Sequence, residues 1–289
     1  MKIYSLPVAP KLQPESQIII YPKHNKDFGV EQDFHLYINQ NKTLLTNNIT
    51  EADWHFLPVY WTRWHLNHDY GRSGIDELQH EIDKSIIDDN KTFTICQYDD
   101  GPVVNIGNSV QFLASRKGSN GVDIPLLSSA HKKPFFRRKK KYLASFVGRI
   151  ANHPIRQAMA DALRDNKNVF IYDGDKGTNF FVKTTVSSYI SLSPRGYGGS
   201  SFRFFEAMQL GVVPFLISDI DTRPFKKFIN WDDLSLFTSS SHELERIFST
   251  MRKEDLTAIG KLSNQFYMEK LAYQKWCQYV IKELGSLTC

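Results

Sequence analysis

The sequence has no long apolar run. Nowhere do about 18 uncharged apolar residues follow one another, as a helix crossing a membrane would need. The start, Met1-Lys2-Ile3-Tyr4-Ser5-Leu6-Pro7, holds no apolar core of a secretory signal. A membrane span is therefore not expected, and the expected location is cytoplasmic. Cysteine is scarce, with only Cys96, Cys277 and Cys289. Their spacing fits no metal site, and their odd number without an export signal points to free thiols in a reducing compartment. Asn48-Ile49-Thr50 is a glycosylation sequon, but without export it reads as a turn. Charge of one sign is not in large excess: the net charge is +5, less than a nucleic-acid binder of this size usually concentrates. Internal repeats and low-complexity segments are also missing.

What remains is an ordinary globular composition, 41% hydrophobic and 23% charged, over 289 residues. That length has room for two domains. Strand-like and helix-like segments alternate, which favours an α/β class with mainly parallel sheets. Residues 17–21 (QIIIY), 54–60 (WHFLPVY), 92–97 (TFTICQ) and 109–114 (SVQFLA) read as strands. Ser73 with Asp76 resembles a capping box opening a helix, whose inner face is Ile75, Leu78, Ile82 and Ile86. Ser128–Lys141, with Pro134 and the run Arg137-Arg138-Lys139-Lys140-Lys141, reads as a domain boundary. We place the domains at 1–135 and 136–289, the last helix returning to the first. The basic run is either a solvated linker or one positive wall of a cleft. Beyond it, residues 142–148, 168–172, 189–193 and 212–218 read as strands. Pro154 suits the first turn of a helix reaching Leu163. Helices are also expected over 201–210, stopped by Gly211, over 243–251, and without interruption over 258–284.

The segment richest in chemistry is Ser193-Pro194-Arg195-Gly196-Tyr197-Gly198-Gly199-Ser200-Ser201-Phe202-Arg203-Phe204-Phe205-Glu206-Ala207. A buried strand ends, a glycine turn including Gly198 follows, and a helix starts after the serines. Glycine lets a backbone approach a ligand closely. A helix start offers unpaired N–H groups and partial positive charge, which suits phosphate. Arg195 and Arg203 add fork-shaped donors. Glu206 lies one turn in, where a carboxylate can accept hydrogen bonds from ribose hydroxyls. No Gly-Lys-Ser/Thr follows, so this is not a P-loop. A glycine turn before a helix is equally compatible with a plain structural cap.

This segment, followed by Gly211-Val212-Val213-Pro214, the strand to Asp219, Pro224-Phe225 and Trp231-Asp232, resembles the exostosin glycosyltransferases of family 47. Phe146-Val147-Gly148-Arg149 resembles the family's Phe-x-Gly-x-x-Arg region. Glu51-Ala52-Asp53-Trp54-His55-Phe56-Leu57-Pro58-Val59-Tyr60 resembles its Ala-Asp-x-Phe-Phe-Val-Pro-x-Tyr motif. The resemblance covers roughly residues 45–235. It implies a GT-B architecture of two Rossmann-like domains facing a central cleft, inverting chemistry, and a nucleoside-diphosphate sugar held mostly by the C-terminal domain. It makes Glu206 the ribose-binding carboxylate, and Arg203, Arg149 and the Ser200/Ser201 backbone the diphosphate ligands. Arg156 is an alternative to Arg149. Ser193, Arg195 and Gly198 complete the expected donor site. Asp219 either bridges to the sugar or merely ends a strand.

Inverting transfer needs a base for the acceptor hydroxyl and positive groups for the departing diphosphate. The arginines and the helix start meet the second need, so no metal or other cofactor is expected. The base is expected in the N-terminal domain. Asp69, in His68-Asp69-Tyr70-Gly71, and Asp99 or Asp100, in Tyr98-Asp99-Asp100-Gly101, all follow strands, where open α/β sheets place ligands. His65 and His68 are further alternatives, and Trp61 and Trp64 are candidates for stacking on a sugar. Asp173-Gly174-Asp175 matches the Asp-x-Asp of metal-dependent transferases but reads as a turn. The expected partners are a nucleotide sugar and an oligosaccharide or glycan acceptor, with no nucleic acid. UDP-xylose is the first-choice donor, because compact relatives in large algal viruses include a β-xylosyltransferase. Two other readings stay open: a non-catalytic glycan- or nucleotide-binding relative, and a nucleic-acid binder using residues 137–141.

Overall fold

A computed structural model describes residues 1–14, 29–132 and 138–287. The strand expected over 17–21, Arg137 of the basic run and Cys289 lie outside the described residues. The chain divides into two compact units. One comprises Met1–Pro125 with Tyr273–Cys289, the other Leu126–Ala272. Each has a parallel five-stranded sheet among its described residues, so the class is α/β, with the two Rossmann-like sheets a GT-B chain requires.

In the first unit the strands are β1 (Ile3–Ser5), β2 (Trp54–Phe56), β3 (Thr92–Cys96), β4 (Val110–Leu113) and β5 (Val122–Asp123), and they lie side by side in chain order. The strand expected over 54–60 stops at Phe56, because Pro58 has no N–H for the ladder. All five residues of β3 are buried, as a central parallel strand covered on both faces requires. Helices α1 (Val30–Gln40), α2 (Trp61–Asn67) and α3 (Ile75–Ser85) follow the strands. Leu78 and Ile82 of α3 are fully buried, and Ile75 and Ile86 pack against the same core. The expected cap at Ser73 does not form. Gly74 occupies the N-cap with φ 69°, and no side chain caps the helix.

Buried Glu31, at the start of α1, ties three elements together. Its carboxylate accepts from the Gln97 N–H at 2.8 Å, the Thr62 N–H at 3.1 Å and the Thr62 hydroxyl at 2.8 Å. Burial pushes the Glu31 carboxyl up to about 7, although those hydrogen bonds pull it down. Trp61 and Trp64, candidates for sugar stacking, are core residues at 0% and 2% exposure. The Trp61 indole donates to the Thr94 hydroxyl at 2.8 Å, so neither offers a ring face to a ligand.

In the second unit, β6 (Tyr142–Gly148), β7 (Val169–Asp173), β8 (Ser188–Pro194), β9 (Val213–Ile217) and β10 (Leu236–Thr238) pair in the order β10-β9-β8-β6-β7. The chain runs from β6 outward to β7 and then crosses back to β8 on the other side. That reversal is a topological switch point, and open α/β sheets bind ligands beyond the strand ends at such a point. Helix α4 (Pro154–Ala162) has Pro154 at its first turn, and the His153 ring accepts from the Ile155 N–H at 3.2 Å. Helix α5 (Thr178–Val186) joins β7 to β8. Helix α6 (Phe202–Leu210) joins β8 to β9 and is buried along Phe204–Leu210. Gly211 ends α6 in the left-handed region at φ 74°, ψ 36°, the conformation glycine adopts without Cβ strain.

Helices α7 (Leu244–Thr250) and α8 (Lys253–Phe266) cover the far side. The single helix expected over 258–284 is in fact interrupted. A π-helical turn, Tyr267–Leu271, ends α8, and Gln274 takes φ 68° before α9 (Cys277–Leu287) begins. Buried Asp33 of α1 stabilises the break by accepting from the Gln274 N–H and the Trp276 indole, each at 2.7 Å. No hydrophobic pattern encodes that break, since apolar periodicity continues on both sides of it.

Candidate functional site

The strand ends at the switch point of the second unit carry most of the expected donor-binding residues. Strand β6 ends at Gly148. Strand β8 ends at Pro194, and residues 195–201 then turn into α6. Arg195 is buried and committed to that turn. Its Nε donates to the Gly198 carbonyl and its Nη2 to the Tyr197 carbonyl, both at 3.1 Å, and Nη1 pairs with Asp219. Burial would raise the Asp219 carboxyl, but the Arg195 hydrogen bond and charge outweigh it and hold it below the usual range. Buried Arg195 thus braces the loop from inside, with exposed Asp219 pairing to it from the surface. Arg156 does similar work: its guanidinium reaches the Arg195 and Arg149 carbonyls at 2.8 Å and the Pro194 carbonyl at 3.4 Å. It is a buried staple between strand ends, whereas the Arg149 side chain is exposed. Ser193 is buried in β8 and donates to the Ser191 carbonyl at 3.3 Å. Ser200 and Ser201 are buried, and Ser201 is the N-cap of α6 without a side-chain cap bond.

Arg203, in the first turn of α6, crosses back over β6. Its Nε donates to the Val147 carbonyl, and its guanidinium lies 5.1 Å over the Phe181 ring. Position 148 beneath it is tight: a Cβ there would sit 3.1 Å from one Arg203 nitrogen and 3.0 Å from the Phe146 ring, so a neighbour would have to shift. Glu206 is one turn further on, its side chain 4% exposed and one oxygen 3.7 Å from Arg203 Nη1. Its other oxygen accepts from His131 Nε2 at 2.8 Å. A carboxylate only accepts, so His131 carries its proton on Nε2 here. The His131 backbone N–H donates to Gln209 Oε1 at 3.1 Å, and the Gln209 amide donates to the Tyr267 hydroxyl at 3.0 Å. His131, Gln209 and Phe181 were not among the residues expected at this site. His131 is 75 positions from Glu206 and belongs to no motif, so no local signal marks it.

The expected base residues lie in the first unit, and the structure brings their two loops together. Asp69, expected just beyond a strand, instead follows helix α2, because the strand ends at Phe56; it and Tyr70 take φ 50° and 57°, and Gly71 continues at 74°. Successive left-handed residues other than glycine are strained, and such strain concentrates at functional sites. The Tyr98 hydroxyl donates to the Tyr70 carbonyl at 2.8 Å, and His65 Nε2 donates to the Gly101 carbonyl at 3.2 Å. Asp69 is exposed, Asp99 half-buried, and Asp100 exposed and paired with Lys117. His65 is fully buried, and burial lowers its ring to about 4. It is a neutral tie between the loops, closed to an acceptor hydroxyl. His68 stacks on Trp64 at 3.8 Å and donates from Nδ1 to the Trp64 carbonyl at 2.7 Å.

The remaining sequence features resolve as local structure. Asp173 accepts from the Ile150 N–H at 2.8 Å and Asp175 from the Gly177 N–H at 2.7 Å, so both carboxylates act as turn acceptors. Among the described residues, no group of three or more His, Cys, Asp or Glu side chains is placed to hold a metal ion. In the described part of the basic run, Lys140 donates to the Ser188 carbonyl at 2.5 Å and the Lys141 N–H to the Ser187 carbonyl at 2.7 Å. These residues enter β6 at the sheet end opposite Arg203, so they form no wall of that site. Cys96 and Cys277 are free, buried thiols. No helix among the described residues is long and apolar enough to cross a membrane.

Comparison with known proteins agrees with the motifs. A model of the Exostosin GT47 domain matches residues 87–252, more than half of the chain. An Exostosin-1 homolog from Caenorhabditis elegans is 22% identical over 303 residues, covering 87% of this chain and 76% of that protein. Among solved structures, AviGT4, a glycosyltransferase involved in avilamycin A biosynthesis, is 10% identical with a TM-score of 0.43, covering 99% of this chain and 98% of its own. MurG of Acinetobacter baumannii is 9% identical with a TM-score of 0.39, covering 99% of each. These scores are low, and the assignment rests on the sequence match. The chain belongs to the exostosin GT47 family of glycosyltransferases.

Proposed function

We propose that this glycosyltransferase moves a sugar, xylose being the first choice, from a UDP-sugar to a hydroxyl of a glycan, with inversion and without a metal. The observation that carries the donor assignment is Arg203 and Glu206 on the first turns of α6, beside the ends of β6 and β8. A buried helix start, a guanidinium held over Gly148 and a carboxylate one turn in match the three parts of a nucleoside diphosphate: the phosphates take the first two, and the ribose diol takes the third. In this reading Arg149 and the Ser200 and Ser201 backbone also meet the diphosphate, and Ser193 and Gly198 shape the loop. Arg195 contributes as a brace of that loop.

The chemistry then needs two things. A carboxylate of the first unit, Asp69 or the Asp99/Asp100 pair, takes the proton of the acceptor hydroxyl as its oxygen attacks the anomeric carbon. The bond from that carbon to the diphosphate breaks, and positive charge at Arg203 and the α6 start stabilises the leaving UDP. Cations already present supply what a divalent metal would supply elsewhere, which supports metal independence. The buried, unpaired Cys96 and Cys277 support a reducing, cytoplasmic setting.

Calorimetry of UDP with Glu206→Ala and Arg203→Ala tests the donor site. Each should weaken binding at least about tenfold, as loss of a charged hydrogen bond does, and unchanged affinity in both would refute the assignment. Turnover by Asp69→Ala and Asp99→Ala tests the base, because loss of transfer with UDP binding retained is expected of the correct residue. Full activity in both variants would exclude them. Excess EDTA should leave activity intact. A non-catalytic relative would bind UDP yet turn over no nucleotide sugar. A nucleic-acid binder would show steep salt dependence for polynucleotide that UDP does not alter.

A further inference from the structure

We propose that His131 is a positioning residue for the donor nucleotide, orienting the Glu206 carboxylate so that its ion pair with Arg203 stays loose. The inference rests on the reading of Glu206 as the ribose-binding carboxylate. An arginine and a glutamate three residues apart on one helix are neighbours on its surface. With both side chains largely withdrawn from water, their favoured arrangement is a close, forked ion pair. Such a pair would occupy both carboxylate oxygens and the guanidinium edge that an incoming diphosphate needs. The observed arrangement is different. One Glu206 oxygen is bonded to His131 at 2.8 Å, and the other stays 3.7 Å from Arg203, beyond hydrogen-bond range. Arg203 instead spends its Nε on the Val147 carbonyl.

Two contacts besides Glu206 help to place His131. Its backbone N–H is bonded to Gln209, itself held by Tyr267, and its ring packs 5.5 Å from Phe181. Phe181 also carries the Arg203 guanidinium at 5.1 Å. One aromatic ring therefore floors both groups that flank the carboxylate. The His131 and Glu206 side chains are 6% and 4% exposed, so water is a poor substitute for the imidazole donor. Removing that donor takes away the bond that orients one carboxylate oxygen, so the existing 3.7 Å pair with Arg203 tightens and competes with both the ribose and the diphosphate.

The test is calorimetry of UDP on the full chain with His131→Ala, His131→Phe, His131→Gln and Glu206→Ala, together with steady-state kinetics. His131→Phe keeps a ring against Phe181 but has no donor. His131→Gln keeps a donor and no ring. We expect UDP to bind about tenfold more weakly to the Ala and Phe variants, and His131→Gln to recover most of that loss. KM for the nucleotide sugar should rise while KM for the acceptor stays the same. In the Glu206→Ala background, His131→Phe should cost nothing further. Wild-type affinity in His131→Phe, with affinity lost in Glu206→Ala, would overturn the inference alone. An additive loss in the double variant would also overturn it, because His131 would then act by another route. Wild-type affinity in Glu206→Ala would overturn the ribose reading itself. If His131→Ala does not fold, the Phe and Gln variants decide the matter.

Discussion

Gly148→Ala is a small perturbation with a specific expected consequence. The new methyl would lie 3.0 Å from the tip of the Phe146 ring and 3.1 and 3.2 Å from two Arg203 nitrogens. Those distances are tighter than ordinary contact, so a neighbour must move by a few tenths of an ångström. Phe146 is 1% exposed and locked in the core, whereas Arg203 is the far end of a long side chain that is 29% exposed. Arg203 should yield and lose its bond to the Val147 carbonyl. A hydrogen bond from a charged donor contributes about 1.5–3 kcal/mol, and partial exposure favours the lower end. About 1.4 kcal/mol of lost preorganisation corresponds to a tenfold weaker complex. UDP calorimetry should therefore show about tenfold loss, while the apo melting temperature falls by no more than about 4 °C per kcal/mol of strain. Unchanged UDP affinity would mean that Arg203, placed by the glycine, does not hold the diphosphate. A collapse of the melting temperature would show that the strand gives way in place of the arginine.

Other consequences follow from single contacts. A Cβ on Gly260 of α8 would meet the Gly211 carbonyl oxygen at 2.8 Å, and neither backbone can step aside. Gly260→Ala should thus destabilise the second unit by about 1–3 kcal/mol, read as a lowered denaturation midpoint. Glu31 keeps its proton to about pH 7 when folded, against 4.5 ordinarily. Between those values the unfolded chain ionises and the folded one does not. Stability should therefore fall as pH rises from about 4.5 to about 7, by about 3 kcal/mol from this group. Glu31→Gln should remove that slope in urea titrations at a series of pH values, since an amide oxygen can keep the Gln97 and Thr62 contacts. Asp33→Ala would leave the Gln274 N–H and the Trp276 indole without their acceptor. It should expose residues 273–287 to limited proteolysis before the rest of the chain, and equal protection would contradict the anchoring role.

The parts of the fold legible in the sequence were those written as local patterns. Strand β6 begins and ends where the run Tyr142–Gly148 does, Pro154 opens α4, and Gly211 closes α6. Each depends on a property of neighbouring residues: an apolar run, a preset φ, or a tolerated left-handed φ. The broken C-terminal helix was not legible, because its interruption is imposed by Asp33, far away in sequence. The sugar-stacking role considered for Trp61 and Trp64 fails for a similar reason: aromatic identity does not tell a core position from a rim position. Within the donor segment, the Arg203/Glu206 spacing was visible, yet the division of labour among its arginines was not. Arg195 and Arg156 turn inward to carbonyl oxygens, Arg203 reaches across to β6, and Arg149 stays exposed. Only tertiary placement distinguishes four residues of one type. The strained turn at Asp69 and Tyr70 is likewise a three-dimensional fact, held by the carbonyls of His65 and His68.

The most direct measurement is UDP release from a panel of UDP-sugars with a glycan acceptor, comparing the wild-type chain with Arg203→Ala, with NMR of the product. UDP-sugar-dependent transfer is expected, with UDP-xylose first, a product of inverted anomeric configuration, and activity lost with the arginine. Transfer that proceeds unchanged in Arg203→Ala would rule out the donor site at α6, and a product that retains the donor's configuration would rule out inversion.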